Sequence, residues 1–348
     1  MKTLFAILIV TTMLAAVSAQ QKTKPQPKPA PPQKKQEPKQ DPKDDEIPVG
    51  DETLKLNTEL VNLIFTAVDK NNRAVGDIRQ EEVTILEDGQ PQPLFAFKRE
   101  ATLPINIAIV IDLSGSQEHT FAQEKMAAAE FLRSILRPGK DAASILTFRA
   151  DVDLVQGLTS RIDTLKRALD DIEFARRFGA VSSRRQATAL YDAVYIAADE
   201  ILSRDTYRSA DENLITRRAM IVLTDGVDNA SQRKLDQVID RALRAGVAIY
   251  SIGIGDRFRF EGVREDVLRR LSEETGGRAY FPQGADDLMD DFRQIENEMR
   301  SQYLVAYSPS NTARDGRFRR IEVKLAGRSG VMIIHRRGYY AASEEVKK

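Results

Sequence analysis

Ile105-Asn106-Ile107-Ala108-Ile109-Val110-Ile111-Asp112-Leu113-Ser114-Gly115-Ser116 is the stretch whose reading decides the fold. Up to Ile111 it is almost wholly apolar and rich in β-branched side chains, as a strand buried on both faces of a parallel sheet requires. The apolar run stops abruptly at Asp112, and Ser114 and Ser116 follow at alternate positions. Small oxygen-bearing side chains at the carboxyl end of a strand are what a loop needs to hold a hard cation. Asp-x-Ser-x-Ser also occurs in plain turns, and Ser116 is placed to cap a following helix. The rest of the chain has to decide between these readings by supplying, or failing to supply, more oxygens to the same point.

Outward from this stretch, residues 104–300 alternate strand and helix. Strands are expected at Ile105–Ile111, Ala143–Phe148, Val152–Leu158, Arg218–Leu223, Val247–Ile254 and Arg278–Phe281, and helices over roughly 119–136, 160–173, 188–203, 232–245, 264–275 and 286–300. Such alternation predicts a Rossmann-like, doubly wound, mostly parallel sheet with helices on both faces. Val152–Leu158 follows its predecessor after a very short turn, so that pair should form an antiparallel edge. Gly246 and Gly276 stand where helix C-caps are expected.

The flanks read differently. Leu60–Val68, then Glu82–Leu86 and Pro93–Phe97 around the hairpin signal Glu87-Asp88-Gly89-Gln90, suggest three strands in 51–103. Tyr303–Tyr307, Arg319–Leu325 and Val331–Arg336 suggest three more in 301–341. Neither group is large enough to bury two sheet faces alone. About six strands together make a small β-sandwich into which the α/β domain is inserted. Before them, residues 1–19 have a basic start, an apolar stretch and a small-x-small end at Val17-Ser18-Ala19, the pattern of a cleaved secretory signal. Residues 20–50 are rich in Pro, Lys and Gln and read as a semi-rigid spacer. Residues 342–348 are a short tail. The expected location is secreted, periplasmic or cell-envelope, with no membrane span left after signal cleavage.

Composition removes several classes of function. Lys+Arg 52 balances Asp+Glu 52, so no global field favours nucleic acid. Cys is absent, which excludes disulfides, thiolate metal sites and cysteine nucleophiles. With only His119 and His335, a multi-histidine metal centre is excluded. A Gly-x-Ser-x-Gly elbow is missing, and Ser114 stands where a phosphatase of the haloacid dehalogenase type needs its second Asp. Catalysis is therefore not expected.

Two further segments bear on the cation reading. Leu223-Thr224-Asp225-Gly226 ends a second apolar strand with a carboxylate, and Thr188 opens a helix. In doubly wound sheets ligands bind beyond the carboxyl ends of the strands, where strand order reverses. If the strands bearing Asp112 and Asp225 are neighbours there, three loops bring together the oxygens of Asp112, Ser114, Ser116, Thr188 and Asp225. An all-oxygen set of two carboxylates and three hydroxyls suits Mg²⁺, with Mn²⁺ or Ca²⁺ as alternatives.

These residues resemble the metal-ion-dependent adhesion site (MIDAS) of von Willebrand factor type A (VWA) domains, at all five positions. Thr147-Phe148 and Ile252-Gly253-Ile254-Gly255 add to the resemblance. The flanks, Val83-Thr84-Ile85-Leu86-Glu87-Asp88-Gly89, Tyr303-Leu304-Val305-Ala306-Tyr307-Ser308-Pro309 and Arg337-Gly338-Tyr339-Tyr340, are similar to secreted VWA-related proteins of acidobacteria. The resemblance implies that Ser114 and Ser116 contact the metal directly. It implies that Asp112 and Asp225 act largely through water, and Thr188 directly or through water. It also implies an adhesion-type module, in which an Asp or Glu carboxylate of a protein partner completes the coordination. The alternatives are an envelope scaffold with a stabilising metal and, less in keeping with the residues, an Mg²⁺-dependent hydrolase.

Overall fold

The structure, a computed structural model, describes residues 60–173, 187–203, 215–255 and 262–343. The expected signal sequence, the spacer, most of the tail and the stretch 174–186, which carries Arg176, Arg177, Arg184 and Arg185, lie outside the described residues.

A six-stranded sheet forms the centre of the α/β domain. Its strands are β5 (Ile105–Asp112), β6 (Ala142–Phe148), β7 (Val152–Thr159), β8 (Arg217–Thr224), β9 (Val247–Gly253) and β10 (Ala279–Tyr280), in the order β10-β9-β8-β5-β6-β7. All neighbours are parallel except β6 and β7, the expected antiparallel edge. Every residue of β5 is buried. Its alternation serves two cores: Ile105, Ile107, Ile109 and Ile111 pack on one face and Ala108 and Val110 on the other. The first face is covered by α1 (Phe121–Ile135), α2 (Ile162–Asp170) and α6 (Ala285–Arg300). The second is covered by α3 (Leu190–Ile196), α4 (Leu235–Ala245) and α5 (Glu265–Thr275). Gly246 and Gly276 close α4 and α5 in the left-handed conformation, at φ 64° and 91°. The helix expected over 188–203 is α-helical through Ile196 and continues as a π-helical segment, Ala197–Leu202.

The flanking chain forms two four-stranded antiparallel sheets. One has the order β13-β1-β11-β4, with β1 Val61–Val68, β4 Leu94–Glu100, β11 Gln302–Tyr307 and β13 Met332–His335. The other has the order β14-β12-β2-β3, with β2 Val83–Glu87, β3 Gln90–Gln92, β12 Phe318–Leu325 and β14 Gly338–Tyr340. Leu63, Phe65, Tyr303 and Val305 of the first sheet share a core with Val83, Ile85, Ile321 and Val323 of the second. The α/β domain is thus inserted in a sandwich drawn from both flanks.

Two expectations about the sandwich need correction. It has eight strands among the described residues, not six. Glu82–Leu86 and Pro93–Phe97 also do not form one hairpin. The turn at Asp88-Gly89 joins β2 to the short β3, and β4 then crosses to the other sheet to pair with β11. Pro93, which lacks a ladder N–H, stands between β3 and β4 where the chain changes sheet.

Where the insertion begins and ends, a buried arginine joins its two connections. Arg217 Nη2 donates to the Leu103 carbonyl at 2.9 Å and Nη1 to Gln302 Oε1 at 2.9 Å, with a further bond to the Met299 carbonyl. Burial, followed by the charge of Arg137, pulls this guanidinium down to about 10.

On α1, Glu124 is fully buried, with one oxygen accepting from Thr120 Oγ1 at 2.7 Å and the other lacking a hydrogen-bond partner. Burial raises its pKa to about 8, and the charge of Asp112 adds to the shift. A folded-state pKa above the unfolded value means that the native state binds the extra proton, so stability is lost as pH rises through that window. Glu124→Gln should therefore match the wild type near pH 4 and become more stable by on the order of a few kcal/mol above pH 8. Urea denaturation across this range checks it; a stability difference that does not change with pH would refute it.

Candidate functional site

β5 and β8 are parallel neighbours in the register Ile111↔Leu223, which sets Asp112 beside Thr224 at the carboxyl edge of the sheet. Strand order reverses here, with β6 on one side of β5 and β8 on the other. The Asp112 carboxylate is fully buried and held at both oxygens. Oδ1 accepts from the Ser114 backbone N–H at 2.7 Å and Oδ2 from Thr224 Oγ1 at 2.7 Å. Burial pushes its pKa up to about 7, the charge of Asp225 adds to this, and the two hydrogen bonds oppose it.

After Asp112 the chain turns through a short 3₁₀ segment, Gly115–Gln117, before α1 begins at Phe121. Ser116 is therefore not the N-cap of α1. Its Oγ lies 2.9 Å from Ser114 Oγ, so the two hydroxyls form one oxygen pair, and the Ser114 side chain also meets the Asp112 carboxylate. Gln117 holds this turn in place. Its Nε2 donates to the Ile254 carbonyl at 2.9 Å and, at 3.4 Å, to Ser116 Oγ.

Asp225 follows β8 directly and accepts from the Val227 N–H at 3.0 Å. Gly255 packs closely against it: a Cβ at that position would lie 3.0 Å from Asp225 Cβ. The Gly253-x-Gly255 pair is thus a strand-ending turn that also makes room for this carboxylate. Thr188 is buried just before α3, on a backbone bound to the loop after β8. Its N–H donates to Asn229 Oδ1 at 2.8 Å, and its carbonyl accepts from the Asn229 and Ala230 N–H groups at 3.0 and 3.1 Å.

Asp192 and Asp228 sit in the same loop system and are committed to backbone. Asp228 Oδ1 accepts from the Tyr191 N–H and Ser231 Oγ. Asp192 accepts from the Gln232 and Arg233 N–H groups and pairs with the Arg233 guanidinium at 3.3 Å. Glu118 and His119 are exposed. Thr224, Asn229 and Gln117 fix the site without having been singled out from the sequence. Thr224 stands inside the Leu223–Gly226 motif, so its place opposite Asp112 follows once the β5–β8 pairing is known.

The donor chemistry fits a divalent cation. The carboxylates of Asp112 and Asp225 repel each other, and neither has a lysine or arginine ion-pair partner among the described residues. The remaining donors are neutral hydroxyls, and every donor is oxygen, the ligand type of Mg²⁺, Mn²⁺ and Ca²⁺.

Residues 106–295 match the family model of the von Willebrand factor type A domain. An uncharacterized protein of Borreliella burgdorferi is 28% identical over 196 residues, covering 50% of this chain and 53% of that protein. The inter-alpha-trypsin inhibitor heavy chain H3 of Rattus norvegicus is 26% identical over 270 residues, covering 74% of this chain and 28% of that protein. The chain thus spans about half, or less, of the length of these curated relatives. Among solved structures, an aerotolerance-related membrane protein from Bacteroides fragilis aligns at TM-score 0.42 and 18% identity, covering 56% of this chain and 98% of that one. The proximal thread matrix protein 1 from the mussel byssus with zinc occupied MIDAS motif aligns at TM-score 0.47 and 18% identity, covering 61% and 49%. With more than half of its length matched by the family model, the chain belongs to the von Willebrand factor type A domain family.

Proposed function

We propose that the chain is a secreted or envelope-located binding module that captures an acidic residue of a protein partner through a divalent cation held by Asp112, Ser114, Ser116, Thr188 and Asp225. The observation that carries this reading is the buried Asp112 carboxylate, tied to β8 and repelled by Asp225, with the Ser114–Ser116 hydroxyl pair beside it. Mg²⁺ suits the donor set, with Mn²⁺ and Ca²⁺ as close competitors. Secretion rests on the apolar N-terminal stretch of the sequence and its small-x-small end. No helix among the described residues is long and apolar enough to cross a membrane.

In this reading the ion supplies a Lewis-acidic centre for an incoming carboxylate. The protein's own residues divide the work around it. Ser114 and Ser116 contribute neutral hydroxyls, so their share of the donor set leaves positive charge uncompensated. Thr224 and the Ser114 N–H fix the Asp112 carboxylate so that it is oriented before any ion arrives. Asn229 fixes the backbone of Thr188. Binding is preferred to catalysis because Ser114 stands where a phosphatase of the haloacid dehalogenase type needs its second aspartate.

Mg²⁺ or Mn²⁺ should raise the thermal midpoint of the wild type and leave that of Asp112→Ala unchanged. The absence of any shift with millimolar Mg²⁺, Mn²⁺, Ca²⁺ or Zn²⁺ would remove the metal from this reading. An envelope protein captured in Mg²⁺ should be released by chelator and fail to bind Asp112→Ala; retention under both conditions would leave a metal-stabilised scaffold as the better reading. Thr224→Val should weaken metal binding by about 10–100-fold, as loss of a hydrogen bond to a ligating carboxylate does. Calorimetric titration of the variant checks this, and an unchanged affinity would show that Asp112 is held without Thr224.

A further inference from the structure

At the amino edge of the central sheet, opposite the proposed cation site, a cavity of about 230 Å³ lies between the α/β domain and the sandwich. β8 and β9 line it from one domain and β1 and β13 from the other, with the end of α6 beside them. Its walls are largely apolar, formed by Ile64, Phe65, Val247, Tyr250, Met299 and Ile334. The guanidinium groups of Arg217 and Arg336 line the same space. Arg217 is only 7% exposed. In both arginines Nε is buried and has no hydrogen-bond partner.

Among the described residues, the hydrogen bonds of these two guanidinium groups all go to neutral oxygens. The Nη groups of Arg217 donate to the Leu103 and Met299 carbonyls and to Gln302 Oε1, and Arg336 Nη2 donates to the Asn62 carbonyl at 2.8 Å. The two carboxylates whose charge reaches Arg217 are engaged elsewhere, Asp141 with Arg137 at 2.7 Å and Glu100 with Lys98 at 2.9 Å. Beside Arg336 stand Tyr307 and Tyr339, whose hydroxyls both donate to Glu87. Burial pulls the Arg336 guanidinium down, as it does that of Arg217. Arg218 reaches the same space but is tied to other groups, the Ala245 carbonyl among them at 3.2 Å. A buried charge without a paired carboxylate is costly, and a buried N–H without an acceptor adds to the cost. An anion in the cavity relieves both. The walls decide its kind. A strongly hydrated dianion loses its water against apolar side chains, whereas an apolar body carrying one carboxylate gains from the same walls. Carboxylate oxygens suit guanidinium N–H donors. The volume is below the ~300–1,000 Å³ of pockets for drug-sized ligands, so the ligand is small.

We propose that this cavity binds a small organic acid, its carboxylate accepting from the free Nε groups of Arg217 and Arg336 and its apolar body lying against β1, β9 and β13. The site is separate from the proposed cation site. Octanoate, titrated calorimetrically into the full chain, tests it, with octanol and chloride titrated in parallel. Octanol carries the same body without the charge, and chloride carries the charge without the body. The wild type should bind octanoate saturably and the other two about tenfold or more weakly. Arg336→Gln removes one donor without touching the bonds of Arg217, and Ala248→Leu fills part of the cavity from β9. Arg336→Gln should weaken octanoate binding about tenfold, the loss expected for one charge-assisted hydrogen bond. Ala248→Leu should weaken it as well, and Asp112→Ala should bind octanoate as the wild type does. Urea denaturation verifies the folding of each variant; if Arg336→Gln does not fold, Ala248→Leu decides alone. The absence of saturable octanoate binding, or binding that Arg336→Gln leaves unchanged, overturns the proposal. Chloride binding as tightly as octanoate replaces the organic acid with an inorganic anion, and octanol binding as tightly removes the guanidinium groups from the site; either result also overturns it.

Discussion

The buried carboxylate of Asp112 is the constraint on which the site depends. An acidic group without solvent has to be satisfied by neighbours or take up a proton. Here it is satisfied from two directions, by the N–H of its own loop and by the hydroxyl of Thr224 on the adjacent strand. Those bonds require β5 and β8 to lie side by side and in register, and that pairing requires both strands to be apolar on both faces. The local turn at Ser114–Gln117, the position of Asp225 and the anchoring of Thr188 all follow from the same edge of the sheet. An ion seated there would meet a carboxylate that is already oriented. Burial pushes the same carboxylate up to about 7.

Much of this was legible in the sequence because it depends on periodicity and composition. β5 reads as a buried parallel strand because no polar residue but Asn106 interrupts it before Asp112. The antiparallel edge at β7 was legible because the intervening turn is too short for a crossover. The glycines closing α4 and α5 were legible because few other residues enter the left-handed region cheaply. The illegible parts depend on partners distant in sequence. Nothing local to Asn229 says that its amide oxygen meets the Thr188 N–H, and nothing local to Thr224 says that its hydroxyl meets residue 112. The change of sheet at Pro93 was missed because a strong turn signal at Asp88-Gly89 invited pairing of the two apolar runs on either side. β14 is three residues long, too short to carry a periodic signal.

At the carboxyl edge of the sheet, the carboxylates of Asp112 and Asp225 gather without a basic counterion among the described residues. A chain with equal numbers of acidic and basic residues therefore carries strong local fields that its net charge hides.

The way the insertion joins the sandwich has a consequence for how the chain assembles. β4 and β11 are adjacent antiparallel strands, with Glu100 opposite Gln302, yet the α/β domain lies between them in sequence. In an unfolded chain, bringing those strands together closes a loop of some two hundred residues, an entropic cost of about 5 kcal/mol. Once the α/β domain has folded, its two ends meet at the Arg217 clamp, and the same pairing spans only the short connections on either side. The inserted domain thus acts as the turn of a very large hairpin. Completing the sandwich after the α/β core has formed avoids most of that loop-closure cost. A ligand that steadies that core also holds the sandwich together, without touching any of its strands.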